Sequence, residues 1–273
     1  MGDTAKRLGS VSERKVRGEK SALSDTETPS PPLRPGGPGP VRSPAWAADP
    51  ALAPIDADAL ARDPADVAPD LLGRYLIRLV GGETMAVRLV EVEAYRGPLD
   101  PGSHAYRGPT ARNRVMFGPV GRAYVYFTYG NHHMLNVVCH PPGMPGAVLL
   151  RGAEPVWGVE AMARLRRSGR RVAAAPAAGP DAVARARFVR WLLAGPARLA
   201  AALGVDGADY GREMVAPWPE GCERAFLLTR GEPPAPSRIA TSGRIGLSRG
   251  AELRLRFYLP DSPGVSPARP THP

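Results

Sequence analysis

The stretch VRLVEVEAY, residues 87–95, alternates with a period of two and constrains the fold more than any other segment. Val87, Leu89, Glu91, Glu93 and Tyr95 share one side of an extended strand; Arg88, Val90, Val92 and Ala94 share the other. Along the first side the residues change from apolar to acid plus aromatic. A carboxylate rising out of apolar neighbours is costly unless something uses it. The alternative is that Glu91 and Glu93 lie on a solvated sheet face.

More strands gather around this one. RYLIRLV (74–80) precedes it across a GGE turn, and RAYVYFTYGNHHMLNVVCH is a hairpin turning at Gly130-Asn131. AVLLRGAEP (147–155) is another strand, and RAFLLTR, RIGLS and LRLRFYL read as strands near the C-terminus. Helices fit between them. In DPADVAPDLLG, Asp63 caps, Pro64 starts, Gly73 ends, and Pro69 keeps the helix short or kinked. VWGVEAMARLRR, ARARFVRWLL and GPARLAAALG supply three more, the last with Pro196 at its start and Gly204 at its end. The fold class is therefore α+β: one domain, with a curved, antiparallel-rich sheet flanked by helices. It is expected over residues 59–266, after a disordered Pro/Gly-rich basic tail at 1–58 and before a disordered end at 267–273.

Charge narrows the partners. The chain carries +10, and beyond residue 50 the balance is 28 basic against 20 acidic side chains, so the excess lies on the body. That favours a polyanion, most simply nucleic acid. All three lysines (Lys6, Lys15, Lys20) are in the tail, so the body is basic through arginine, which suits forked phosphate contacts. The body has no lysine amine for Schiff-base chemistry. Cys139 and Cys222 form no CxxC pair, and His132, His133 and His140 have no partner acids at ligand spacing, so no metal or other cofactor is expected. No run of apolar residues is long enough to span a membrane. The expected location is the cytoplasm, with the bacterial nucleoid, or the nucleus of a eukaryote.

Two further segments concentrate chemistry. YVYFTYG holds Tyr124, Tyr126 and Tyr129, three of eight tyrosines. Tyr129 abuts the turn, where a large ring is either a stacking wedge or an incidental surface tyrosine. The long segment 97–121 lacks periodicity, as functional loops often do, and presents Arg112 and Arg114 either to phosphates or merely to solvent.

EVEAY, GSHAYRG, ARNRVMFGP, YVYFTYGNHHMLNVV, GAVLLRGAEP, GPARLAAALG and RIGLS stand in the order found in the methylpurine (3-methyladenine, alkyladenine) DNA glycosylases, which the chain resembles over roughly residues 60–266. The resemblance implies a monomeric enzyme acting on double-stranded DNA with damaged purines. It would swing the nucleotide out of the duplex and hydrolyse the N-glycosidic bond. It assigns Glu93 as general base and Arg151 as holder of the water or an adjacent phosphate. Tyr95, His104, Tyr126 and Asn136 would form the base pocket and Tyr129 the intercalating wedge; the loop arginines Arg112 and Arg114, read from the residues themselves, are the expected DNA-backbone contacts. Tyr126 and Asn136 share a pocket only if the hairpin loop has an odd residue count, which predicts a three-residue loop at 130–132 or an adjacent bulge.

Two rivals stay open: a non-catalytic binder of damaged DNA, and a hydrolase of free nucleosides or sugars. The second would use Glu91 and Glu93, about 6.8 Å apart by strand rise, as an inverting pair.

Overall fold

A computed structural model describes residues 49–128, 130–168, 174–176 and 181–267. The tail to residue 48, Tyr129 and most of the 168–180 loop lie outside the described residues.

The strand that opened the sequence argument is the longest element, β2 (Glu83–Tyr95), and everything else is arranged on it. Before it come α1 (Pro64–Leu71) and β1 (Tyr75–Val80); after it come β3 (Ala123–Thr128), β4 (His132–Val138) and β5 (Ala147–Trp157). Then follow α2 (Val159–Ser168), α3 (Ala182–Leu193), α4 (Pro196–Ala202), β6 (Arg224–Leu228), β7 (Ala240–Ser242) and β8 (Arg256–Tyr258). The sheet order is β3-β4-β5-β2-β1-β6, and β8 pairs with both β2 and β7. Every pairing is antiparallel. The α+β expectation with an antiparallel, curved sheet is met.

Local signals explain the ends. Asp63 accepts the amide of Ala65 and caps α1, whose first residue is Pro64. The same carboxylate holds Arg96 at 2.7–3.0 Å, tying the start of α1 to the end of β2. The turn from β1 to β2 uses Gly81 and Gly82 at φ 57° and 75°, the left-handed conformations that a two-residue hairpin needs.

Two expectations shift. RIGLS (244–248) is not a strand but an irregular loop between β7 and β8, because its backbone and side chains serve the site instead of a ladder. The packed body also begins before residue 59: Pro54 bridges Thr229, and buried Ile55 donates its amide to the Leu228 carbonyl at 3.0 Å.

The two sheet faces have different tasks. Val92, Ala94, Val125, Leu135, Val137, Val148 and Leu150 belong to the main core, together with residues of all four helices. On the other face Tyr124, Val138 and Ala147 pack with Ala105 and Met116 from the 97–121 loop. Helices thus cover one face and this loop roofs part of the other.

Candidate active site

Strand register gathers the site. Tyr124 pairs with Asn136, Asn136 with Leu149, and Leu149 with Glu93; Tyr95 pairs with Ala147. Directly opposed residues of antiparallel strands point the same way. Tyr124, Tyr126, Asn136, Glu93 and Tyr95 therefore stand on one face, the face under the long loop. The last pair of the hairpin is Thr128 with His132, so an odd number of residues separates the two strands. The odd count was the expected condition, but His132 is paired rather than part of the connection, so a 130–132 loop is not what forms.

A pocket opens there, lined by Tyr95, Gly102, His104, Met116, Tyr124, Tyr126, Asn136 and Leu247. Four of these, Tyr95, His104, Tyr126 and Asn136, are the residues that the family resemblance put in it. The imidazole of His104 meets the Tyr126 ring edge-on at 4.7 Å, and its Nδ1 lies 2.8 Å from the Tyr124 hydroxyl. The residue as a whole is exposed, but its ring lies against the pocket wall and is partly desolvated there. That desolvation, helped by the nearby Arg112 charge, pushes its pKa down to about 4. Asn136 is buried and donates Nδ2 to the Tyr124 carbonyl at 2.9 Å.

Glu93 lies one hydrogen bond behind the pocket wall. It is wholly buried, so a solvated sheet face is ruled out for it and for Glu91, which is equally buried. Glu93 Oε2 accepts the Tyr95 hydroxyl at 2.9 Å and faces Arg151 Nη1 at 3.2 Å; Oε1 accepts the Ile245 amide at 2.8 Å. Burial, and then the charge of Glu93, raise the Tyr95 phenol well above its ordinary pKa, so it stays a donor. A carboxylate offers about four acceptor positions. Two accept hydrogen bonds and a third faces the Arg151 guanidinium, so a fourth is unclaimed among the described residues.

Arg151 is buried, and its guanidinium spans Glu93 and Glu91. Between Val92 and Glu91, β5 advances two residues, from Leu150 to Gly152, while β2 advances one, so Arg151 is the extra residue of a bulge. A bulge re-aims a side chain, here between two acids. Burial alone would lower the Arg151 pKa, but Glu93 and Glu91 raise it. Glu91 is itself saturated: Oε1 takes Arg151 Nε, Arg256 Nε and the Ser266 hydroxyl at 2.7–3.0 Å, and Oε2 takes the Ser266 amide at 2.6 Å. Its bonds go to Arg151, Arg256 and Ser266, so it is not free to act as the second carboxylate of an inverting pair at this site.

Asn113 and Arg244 carry no sequence signal of a site role, whereas Arg112 and Arg114 do. Asn113, between the two loop arginines, is buried and donates to the carbonyls of His104 and Gly108 at 2.8 and 3.0 Å, fixing the loop that carries them. Arg112 is exposed with its guanidinium 5.0 Å over the Tyr126 ring, and Arg114 is exposed on the short turn 114–117. Arg244 is buried, forks onto Asp100 at 2.5–2.6 Å and lies 4.6 Å over the Tyr95 ring. Among the described residues no group of three or more His, Cys, Asp and Glu is placed to hold a metal ion, and no helix is long and apolar enough to cross a membrane.

Fold and site together define an α+β domain in which a buried acid–arginine pair backs an aromatic pocket. The chain belongs to the methylpurine-DNA glycosylase family, whose model matches residues 58–263. A protein of Streptomyces avermitilis named "Putative 3-methyladenine DNA glycosylase" is 46% identical over 223 residues, covering 81% of this chain and 95% of its own length. Relatives of the same name from Leifsonia xyli (44% over 229 residues, 82% of this chain and 97% of theirs) and Chlorobium luteolum (42% over 202 residues, 74% and 90%) are similar along the same body.

Proposed function

We propose that this protein is a monofunctional DNA glycosylase that removes alkylated or deaminated purines from duplex DNA and leaves an abasic site. The observation that carries this reading is the Glu93 carboxylate. It is held by Ile245, Tyr95 and Arg151 immediately behind a pocket of aromatic rings, with one acceptor position to spare.

A base inside the stack is beyond reach of any side chain, so the nucleotide swings out at a cost of a few kcal/mol. Tyr129, at the tip of the β3–β4 hairpin by sequence, fills the gap. Arg112 and Arg114 bind the flanking phosphates. In the pocket, tyrosine faces attract a base made cationic by alkylation, by roughly 0.5–2 kcal/mol per contact. Asn136 crowds the exocyclic amine of normal guanine. Neutral His104 offers a ring edge without adding a second positive charge.

Glu93 then orients a water and takes its proton as the oxygen attacks the sugar carbon and the bond to the purine breaks. The negative charge of Glu93 also favours the oxocarbenium-like transition state. Arg151 holds Glu93 in place. The enzyme acts as a monomer without metal, wherever the cell keeps its DNA.

Glu93→Gln tests the assignment on duplexes carrying 3-methyladenine, 7-methylguanine, hypoxanthine or ethenoadenine. Base release is expected to fall by roughly 10²–10⁴-fold, while binding to the lesion duplex persists. A wild-type protein that binds but releases nothing is instead a damage-binding module. Equal release by the variant removes Glu93 from the mechanism.

A further inference from the structure

The region behind Glu93 is more elaborate than burying one acid requires. Arg151 commits each of its three nitrogens to a different partner: Nε to Glu91 at 3.0 Å, Nη1 to Glu93 at 3.2 Å and Nη2 to the Ser266 hydroxyl at 3.5 Å. A guanidinium beside a carboxylate ordinarily uses its fork, with two parallel bonds to the two oxygens. Here the fork does not close on Glu93: the nearest approach is Nη1 to Oε2 at 3.2 Å, while Nε and Nη2 hydrogen-bond to Glu91 and Ser266.

Three features hold that pose. Arg151 is the extra residue of the β5 bulge. Gly152, beside it, leaves Glu91 its place, since a Cβ there would meet the Gly264 carbonyl at 2.3 Å and Glu91 Oε2 at 3.1 Å. Ser266, on the segment after β8, closes Glu91 with both amide and hydroxyl.

We propose that Glu91, locked by Ser266, is a positioning residue that keeps Arg151 from forking onto Glu93, so that Glu93 retains an oxygen for the attacking water. This rests on Glu93 being the general base. A forked Arg151 would occupy the spare acceptor and hold the acid more firmly in its charged, less basic form. The charged and titratable groups around Glu93 are Tyr95 on its own strand, Arg151 and then Glu91 behind it, Arg256 opposite it on β8, and Arg244 over Tyr95. Of these, only Glu91 draws Arg151 away.

The test uses the full chain as Glu91→Gln, Ser266→Ala and Ser266→Thr. Single-turnover release from a 7-methylguanine duplex is followed from pH 5 to 9, with melting temperature and affinity for an uncleavable abasic-site duplex measured alongside. Both Glu91→Gln and Ser266→Ala are expected to bind like wild type and to lose about tenfold in maximal rate. Their acid limb should move to lower pH, further for Glu91→Gln than for Ser266→Ala. Ser266→Thr keeps a hydroxyl and should restore the wild-type limb. An acid limb unmoved in folded Ser266→Ala overturns the proposal, whatever its melting temperature, and leaves Glu91 as packing. If Glu91→Gln fails to melt cooperatively, the serine pair decides. Wild-type protein that releases no base refutes the glycosylase reading itself, which is a separate outcome.

Discussion

His104 shows how much a single side chain's surroundings can decide. On a residue that is otherwise exposed, its ring packs edge-on against Tyr124 and Tyr126, and desolvation first, then Arg112, depresses its pKa from 6.5 to about 4. A histidine whose native pKa lies below its unfolded value binds fewer protons when folded, so stability rises with pH between the two values. Its contribution is complete above about 6.5 and is lost as pH falls toward 4. Melting temperature should therefore drop between pH 7.5 and pH 5 in the wild type and drop less in His104→Gln. Parallel curves for the two proteins would show that the ring is not desolvated. Under the proposed function the same neutrality would matter to binding, because a charged imidazole would repel a cationic base where a neutral one does not. No residue adjacent in sequence announces this; GSHAYRG supplies the histidine, while its environment comes from β3, some 20 residues on.

At the scale of elements, the two loops flanking Tyr95 are joined by one ion pair. Asp100, in the loop after β2, and Arg244, in the loop after β7, are both fully buried and paired through two bonds. Arg244 also donates to the Ala94 carbonyl at 2.8 Å and covers the Tyr95 ring. Removing one partner leaves the other charge buried alone, so Asp100→Ala should cost about 3–5 kcal/mol in denaturant unfolding. A loss within ordinary surface values would mean that water reaches Arg244 readily. Such pairs explain what could be read from the chain beforehand. The strand period placed Glu93 and Tyr95 together, because it is a local, periodic signal, whereas the odd hairpin count that brings Tyr126 and Asn136 to one side is expected only from the family resemblance. Asp100 and Arg244 are 144 residues apart and share no period, and RIGLS looks strand-like because its apolar residues alternate, although its amide and arginine are spent on Glu93 and Asp100. The bulge that re-aims Arg151 was equally silent. Its one trace is Gly152, whose need for bare backbone appears only when the 264 carbonyl arrives from the far end of the chain.

For the molecule as a whole, the distribution of basic residues bears on the chemistry as well as on binding. All 28 basic side chains beyond residue 50 are arginines, and the three lysines fall at positions 6, 15 and 20. A guanidinium stays protonated throughout the workable pH range and is a poor nucleophile toward a sugar carbon, whereas a lysine amine can displace the base and form a Schiff base. A body rich in arginine and free of lysine can neutralise phosphates along a duplex, while its pocket holds no amine to compete with water. The product should therefore be an intact strand with an abasic site, which breaks only on treatment with alkali. Adding borohydride during the reaction should trap no covalent protein–DNA complex, because there is no imine to reduce. Strand scission before alkali, or a trapped complex that survives denaturation, would show that an amine reaches the sugar after all. Mapping the trapped peptide to Lys6, Lys15 or Lys20 would then place part of the N-terminal segment in the active site.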